Sequence, residues 1–373
     1  MIKKLSRNHN REANFHLNSM FISLFFDITD KNNIMVFLEN RIFIPGGLMK
    51  YRSFGRTGWQ VSEIAFGGWQ IGGDWGEVDD KESINTLLHA YEKGINFVDT
   101  AELYGHGHSE EVIGRSLKEW KGQKIYVATK AQPIQWPHKT EDDPMMRGRY
   151  PDWYLREQVE GSLKRLGVER LDLFQLHCWM PRGTTELDWL ETLNDLRAEG
   201  KIDQIGVSIR DYHSEEGIGL AELGLGVASQ QVIFNMFEQS PARGLFEKAE
   251  VQGQGMIARV PLDSGSLTGM WNEDTYSTWE EGSIPHWLYR GERFMETYKR
   301  MLKLKELCAP YYPTLAEAAM RFALSEKQVS TLIPGMKNPA EVDMNVVYSD
   351  GQPFPEELKE KIKEHIWVRD YYQ

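Results

Sequence analysis

The stretch Asn96-Phe97-Val98-Asp99-Thr100-Ala101-Glu102-Leu103-Tyr104-Gly105 decides how this chain is read. Phe97 and Val98 are apolar and β-favouring, so Asn96 to Asp99 reads as a short strand. A polar segment follows and ends at Tyr104-Gly105. A carboxylate therefore stands at the C-terminal end of a strand, with a phenol just beyond it. In a parallel α/β barrel, that end of the strands carries the active site. Taken alone, the stretch reads equally as a loop Asp capping the next helix and a Tyr packed at a rim. The flanking chain has to discriminate.

Moving back from Asn96, Gly94 closes a helix opened by Asp79-Asp80, with Ile84, Leu87, Leu88 and Tyr91 on one face. Before it, Ile64-Ala65-Phe66 reads as a strand running into Gly67-Gly68-Trp69 and a glycine-rich loop. Tyr51–Phe54 and Val61–Glu63, joined through Gly55 and Gly58, read as a hairpin. Moving forward, Ser109 is expected to cap a helix carrying Val112, Ile113 and Leu117. Ile125–Thr129 is a strand ending at Lys130, and Asp152–Leu166 a helix. Leu171–Leu176 is a strand ending at His177, followed by a helix over Leu187–Ala198. Ile202–Val207 is a strand ending at Ser208. The alternation goes on through helices at 215–223, 244–251, 315–324 and 339–347, with strands within 227–234 and at 256–260 and 329–333. A helix at 356–366 ends it.

Counted from Ile64, eight strands are each followed by a helix, which predicts an α/β fold: a (β/α)8 TIM barrel with an N-terminal β-hairpin and an extra C-terminal helix. The rival, an open doubly wound sheet, wants GxGxxG after its first strand. Gly105-His106-Gly107-His108 only begins that pattern, has Glu110 at the third glycine and lies in the wrong unit. Long segments at 131–151 and 261–290 follow strands, so both are expected over the active-site face.

The charge balance, −12 formally, argues against a nucleic-acid partner, because phosphate binding wants a basic excess. No apolar run reaches the ~18 residues that cross a membrane. Cys178 and Cys308 form no CxxC and no disulfide framework, which fits a reducing compartment, so a cytoplasmic location is expected. Residues 1–48 differ in composition from the rest, being rich in Asn, Lys and Arg without a secretory pattern. Gly46-Gly47 could be encoded by GGAGG, a ribosome-binding sequence. The expectation is therefore that Met49 is the true start and that 1–48 is translated upstream sequence or a disordered extension, with the working domain at 49–373.

Four polar residues now stand after three successive strands: Asp99 with Tyr104, then Lys130, then His177. A free phenol near pKa ~10 exchanges its proton poorly at neutrality. A neighbouring ammonium should favour the phenolate. Lys130 can supply it, Asp99 can hold Lys130 charged, and His177 can hydrogen-bond the substrate oxygen. No histidine pair has an HExxH-like spacing that calls for a metal.

The set resembles the catalytic tetrad of the aldo-keto reductases. So do the motifs Val127-Ala128-Thr129-Lys130, Leu173-Phe174-Gln175-Leu176-His177, Gly206-Val207-Ser208 and Ile333-Pro334-Gly335, and the opening at Met49. The resemblance covers about residues 49–350. It implies an oxidoreductase in which Tyr104 is the general acid and base. It also implies a nicotinamide dinucleotide, usually NADP(H), lying across the barrel mouth. By position, Gly68 and Trp69 would lie near the nicotinamide, and Ser208 and Gln231 would hold its carboxamide. Leu262, Ser264 and Gly265 would pass the pyrophosphate, Lys337 would meet the 2′-phosphate and Asn345 the adenine.

The chain departs from the family pattern at several points. Ile209 stands where Asn is common, and Arg259 where an aromatic ring often stacks on the nicotinamide. Met270 replaces a frequent Lys, and Glu341 stands where an Arg often reads the 2′-phosphate. These changes weaken NADP(H) against NAD(H), while Lys337 keeps NADP(H) ahead. Trp69, Trp75, Trp136 and Trp179 are expected in loops around the mouth, where aromatic faces suit a sugar or other small carbonyl substrate. The alternative reading is a non-catalytic or slow redox-sensing scaffold on the same fold, since some members serve as channel-associated subunits.

Overall fold

The structure, a computed structural model, describes residues 49–371 apart from positions 139, 140 and 142. The expectation for residues 1–48 lies outside the described residues.

The chain begins with an antiparallel hairpin, β1 (Tyr51–Ser53) and β2 (Gln60–Ser62). The barrel follows in order: β3 (Phe66–Gly67), α1 (Asp80–Glu92), β4 (Phe97–Asp99), α2 (His108–Glu119), β5 (Tyr126–Ala131), α3 (Asp152–Leu166), β6 (Leu171–Leu176), α4 (Asp188–Ala198), β7 (Ile202–Ser208), α5 (Glu216–Leu223), β8 (Ser229–Ile233), α6 (Leu245–Gln252) and β9 (Gly255–Arg259). Then come α7 (Ile284–Leu288), α8 (Arg293–Cys308), α9 (Leu315–Leu324), β10 (Val329–Ile333), α10 (Pro339–Val346) and α11 (Glu356–Ile362).

Strands β3 to β10 form one eight-stranded parallel sheet in sequence order. Parallel bridges Ile64↔Leu332 and Gly67↔Gly335 bring its two edges together, so the sheet is a nearly closed (β/α)8 barrel. At this seam Gly67 donates its backbone N–H to Pro334 O at 2.9 Å. A Cβ there would lie 2.8 Å from the carbonyl oxygens of Ile333 and Pro334, so only glycine lets the edges meet.

Two apolar regions hold the barrel. The inner one packs Ala65, Phe97, Ala128, Leu173, Ile257 and Ile333 against Phe54, Trp59 and Val61 of the hairpin. The hairpin thus plugs the N-terminal mouth, where Trp59 stacks on Tyr126 with ring centroids 4.5 Å apart. Arg52 ties the plug to the far edge by donating to the carbonyls of Leu324, Glu326 and Val329. The larger region lies between strands and helices, each helix burying one face.

Helices α7 and α8 are additions to the expected alternation. α8 buries Phe294, Thr297, Met301, Leu304 and Cys308 on one stripe. The expected cap of α2 is also different. Gly107, at φ 91°, is the N-cap residue, and Ser109 lies inside the first turn. Its hydroxyl turns inward, donating to Gly68 O at 2.8 Å and accepting from Thr100 at 2.8 Å. Ser109 therefore ties the start of α2 to the end of β3 rather than closing a helix end.

Candidate active site

Three neighbouring strands set the charged centre. Asp99 is the last residue of β4, and Lys130 lies near the end of β5, opposite Gln175 of β6 in the register. Lys130 is fully buried and donates from Nζ to Asp99 Oδ1 at 2.5 Å, Thr100 O at 2.8 Å and Tyr104 Oη at 3.3 Å. The second carboxylate oxygen of Asp99 accepts from Gln231 Nε2 at 2.7 Å and Gln175 Nε2 at 3.3 Å. A buried charge pair endures only when its remaining lone pairs and protons are satisfied. Here two glutamines and a carbonyl complete it. Burial disfavours the ammonium, but Asp99 and Tyr104 together outweigh that and hold Lys130 above its ordinary range.

Tyr104 leaves β4 through a tight turn. Gly105 has φ 60°, and a Cβ there would fall 1.9 Å from Gly72 O, so this bend requires glycine. The phenol departs from the sequence expectation. Burial pushes it up, Lys130 pulls it down and Asp99 pushes it up again; the net direction is above the ordinary 10.0. Desolvation of a phenolate exceeds the attraction of an ammonium already shared with Asp99. Tyr104 is accordingly held protonated.

His177 follows β6, its backbone N–H on Ala131 O at 2.8 Å. Its ring stands edge-on to Tyr104 at 5.8 Å and to Trp136 at 6.0 Å. Burial, then Lys130 and Arg259, hold its pKa well below 6.5, so the imidazole is neutral. Its Nδ1 is buried with no hydrogen-bond partner. The ring borders the cleft, and a neutral imidazole there can hydrogen-bond an oxygen.

These groups open on a cleft of about 1100 Å³. Asp99, Tyr104 and His177 line it, together with each of the residues expected to meet a dinucleotide: Gly68, Trp69, Ser208, Gln231, Leu262, Ser264, Gly265, Lys337, Glu341 and Asn345. Lys130 lies behind Tyr104. Ser208 and Gln231 are register partners on β7 and β8. Residues 260–265 take an unusual path, with Val260, Asp263 and Ser264 at φ 57°, 50° and 52° beside Gly265 at 100°. Asp263 is nearly fully buried there and holds Ser266 and Arg369, each at 2.5 Å. Both long segments reach the cleft, the first through Trp136, Pro137 and His138, the second through Trp271, Trp279 and Pro285.

The aromatic expectation needs one correction. Trp69 stacks on Tyr104 at 5.7 Å and meets Trp75 edge-on at 5.1 Å. Asp74 Oδ2 fixes this wall, accepting from Trp69 Nε1 at 3.0 Å and Gly105 N at 3.1 Å. Trp179 is absent from the mouth. It is fully buried against Trp189 and donates to Glu216 O, so it packs the scaffold.

Sequence reasoning also missed partners. Arg259 is paired with Asp211 at 2.5 Å and donates to Ile209 O, so its charge beside the cleft is balanced. Gln175 lies in β6, two positions before His177 at the strand's end, a period-2 spacing that is the signal that could have found it.

The profile of the Aldo/keto reductase family matches residues 63–366. An Escherichia coli protein named NADH-specific methylglyoxal reductase is 30% identical over 311 residues, covering 80% of this chain and 93% of its own. An Arabidopsis thaliana protein named probable voltage-gated potassium channel subunit beta is 25% identical over 319 residues, covering 82% and 92%. Among solved structures, a glycerol dehydrogenase from Gluconobacter oxydans aligns with a TM-score of 0.67 at 28% identity, covering 85% of this chain and 94% of that one.

Proposed function

Since the chain belongs to the Aldo/keto reductase family, we propose that it reduces a small aldehyde, ketone or sugar carbonyl with a nicotinamide dinucleotide, and that Tyr104 donates the proton. Membership carries oxidoreductase chemistry on small carbonyl compounds. The observation behind the residue roles is the buried chain Asp99–Lys130–Tyr104, closed by hydrogen bonds at 2.5 and 3.3 Å.

A cleft of about 1100 Å³ lined by all the expected contact residues fits a dinucleotide together with a small substrate. A dinucleotide held along these residues would supply the hydride for the carbonyl carbon. Tyr104 gives its phenolic proton to the carbonyl oxygen, forming the alcohol, and the phenolate left behind lies beside the Lys130 ammonium. Asp99 keeps that ammonium charged and fixed. Neutral His177, whose ring borders the cleft beside Tyr104, hydrogen-bonds the substrate oxygen and orients it toward Tyr104. Trp69, Trp75 and Trp136 wall the approach. Names of relatives that speak of methylglyoxal and glycerol support a small polar substrate.

Tyr104→Phe is the direct test. Carbonyl reduction should fall by about 10²–10⁴-fold, the usual worth of a positioned acid. Dinucleotide binding, followed by tryptophan fluorescence, should stay within a factor of about two of the parent, because the variant keeps the ring that stacks on Trp69. Unchanged turnover would remove Tyr104 from the role. A second reading, a redox-sensing scaffold, draws on the similarity to the channel subunit. It predicts dinucleotide binding with negligible turnover in the parent protein, whereas the complete tetrad favours catalysis.

A further inference from the structure

The end of the cleft where the family resemblance would put the adenosine is bordered by Lys337, just before α10, and by Glu341, Met344 and Asn345 of that helix. Helix starts bind phosphate because their first backbone N–H groups lack partners and carry partial positive charge. In α10 one of those donors is already bonded and another is missing. Asn338 is the N-cap residue, and its Oδ1 accepts from Glu341 N at 3.0 Å. Pro339 follows and has no N–H. Glu341 Oε2 reaches back to accept from Lys337 N at 3.0 Å, and its Oε1 accepts from Asn338 Nδ2 at 3.4 Å. This is a capping box whose carboxylate bonds one residue further back than usual. The helix start thus holds an anion of its own.

The nearby cations do not redress this. Lys337 is the ammonium of the stretch, and Glu341 sets an equal and opposite charge beside it. Two other cations that line the cleft are committed elsewhere, Arg210 to Glu216 and Arg259 to Asp211. A 2′-phosphate brings about −1.5 to −2 charge and wants donors. A 2′-hydroxyl brings a donor of its own and wants an acceptor, which a Glu carboxylate is.

We propose that Glu341 makes this chain selective for NADH, its carboxylate occupying the helix start that a 2′-phosphate would need and offering an acceptor to the ribose 2′-hydroxyl. The proposal rests on the nicotinamide reading above and reverses the sequence expectation that Lys337 favours NADPH. Glu341 is thereby a specificity-determining residue, remote from the reacting atoms.

The test is equilibrium fluorescence titration of the full chain with NADH and with NADPH, in the parent, Glu341→Gln and Glu341→Arg. In the parent NADH should bind about tenfold or more tightly than NADPH, since the Glu341 carboxylate and a 2′-phosphate repel. Salt should narrow the gap, because the screening length falls to about 3 Å at 1 M. Glu341→Gln keeps a capping-box side chain, so the helix start survives while the charge goes; the gap should close mainly by tighter NADPH binding. Glu341→Arg should reverse the order. Equal or tighter NADPH binding in the parent, or a gap unchanged in Glu341→Gln, would overturn the proposal and leave the family's dinucleotide chemistry standing. Binding of neither nucleotide would instead overturn the nicotinamide reading, and this proposal with it.

Discussion

At the scale of single residues, the centre is a set of groups whose protonation is fixed by burial as much as by neighbours. Tyr104 stays protonated because burial and Asp99 outweigh Lys130, and His177 stays neutral because burial and two cations oppose a third charge. The pH dependence of reduction follows from the signs. A phenol held above 10.0 is fully present as an acid through neutrality and is lost only as pH rises past that value. An imidazole held well below 6.5 adds no inflection near its ordinary value. With the dinucleotide saturating, kcat/KM for carbonyl reduction should therefore be level through the neutral range and decline only in strong alkali. An inflection between pH 6 and 7 that disappears in His177→Gln would contradict the neutral imidazole (about the ordinary His range). Residue types and their order along the chain made Asp99, Tyr104, Lys130 and His177 legible before any coordinates. What hid was whatever depends on the direction of a side chain: Gln231 turned onto Asp99, Asp211 turned onto Arg259, and Trp179 turned away from the mouth.

At the scale of elements, the two ends of the barrel do different work. The β1–β2 hairpin fills the N-terminal mouth with Phe54, Trp59 and Val61, whereas the polar groups gather at the opposite end. Conserving the site while weakening the plug should thus be possible. Trp59→Ala removes a buried indole stacked between Phe54 and Tyr126 and should cost about 3–5 kcal/mol of unfolding free energy. Urea denaturation should register a lower midpoint, with kcat/KM of the folded protein unchanged. A matched loss of activity under folding conditions would mean that the plug shapes the site as well. Helices with strong apolar periodicity were readable nearly to the residue, α3 and α9 among them. α8 was not, although its stripe is regular, because six charged residues from Arg293 to Lys305 make the segment look like more of the preceding loop. The α2 start misled for another reason. A serine at a helix beginning suggests a cap, but a left-handed glycine had taken that position.

At the scale of the whole molecule, the segment after α11 returns across the barrel to the cleft. Trp367 N–H bonds Phe237 O at 2.9 Å, and Arg293 donates to Tyr371 O at 3.0 Å. Between them Arg369 pairs with Asp263 and lies over the rings of Trp367, Tyr371 and Phe237, with its guanidinium held above the ordinary value against the pull of burial. Asp263 is one of four left-handed residues in the run 260–265 beside the expected pyrophosphate path. Arg369→Met should leave that carboxylate buried without its cation. Dinucleotide affinity should then weaken by about tenfold or more (1.4 kcal/mol per decade), and protease should cut the 261–290 segment faster. Unchanged affinity in a normally folded variant would show that the run holds its shape unaided. The seam between β3 and β10 has a different consequence. Its two halves lie near opposite ends of the barrel sequence, and two bridges close it. The last pairing to form as the chain folds should be this one, since distant contacts wait on everything between them. Asp99 is the register partner of Gly67, one strand from that line. A chain whose central strands have already paired would still lack a finished charge pair, so activity should emerge after most of the helical signal has returned on refolding.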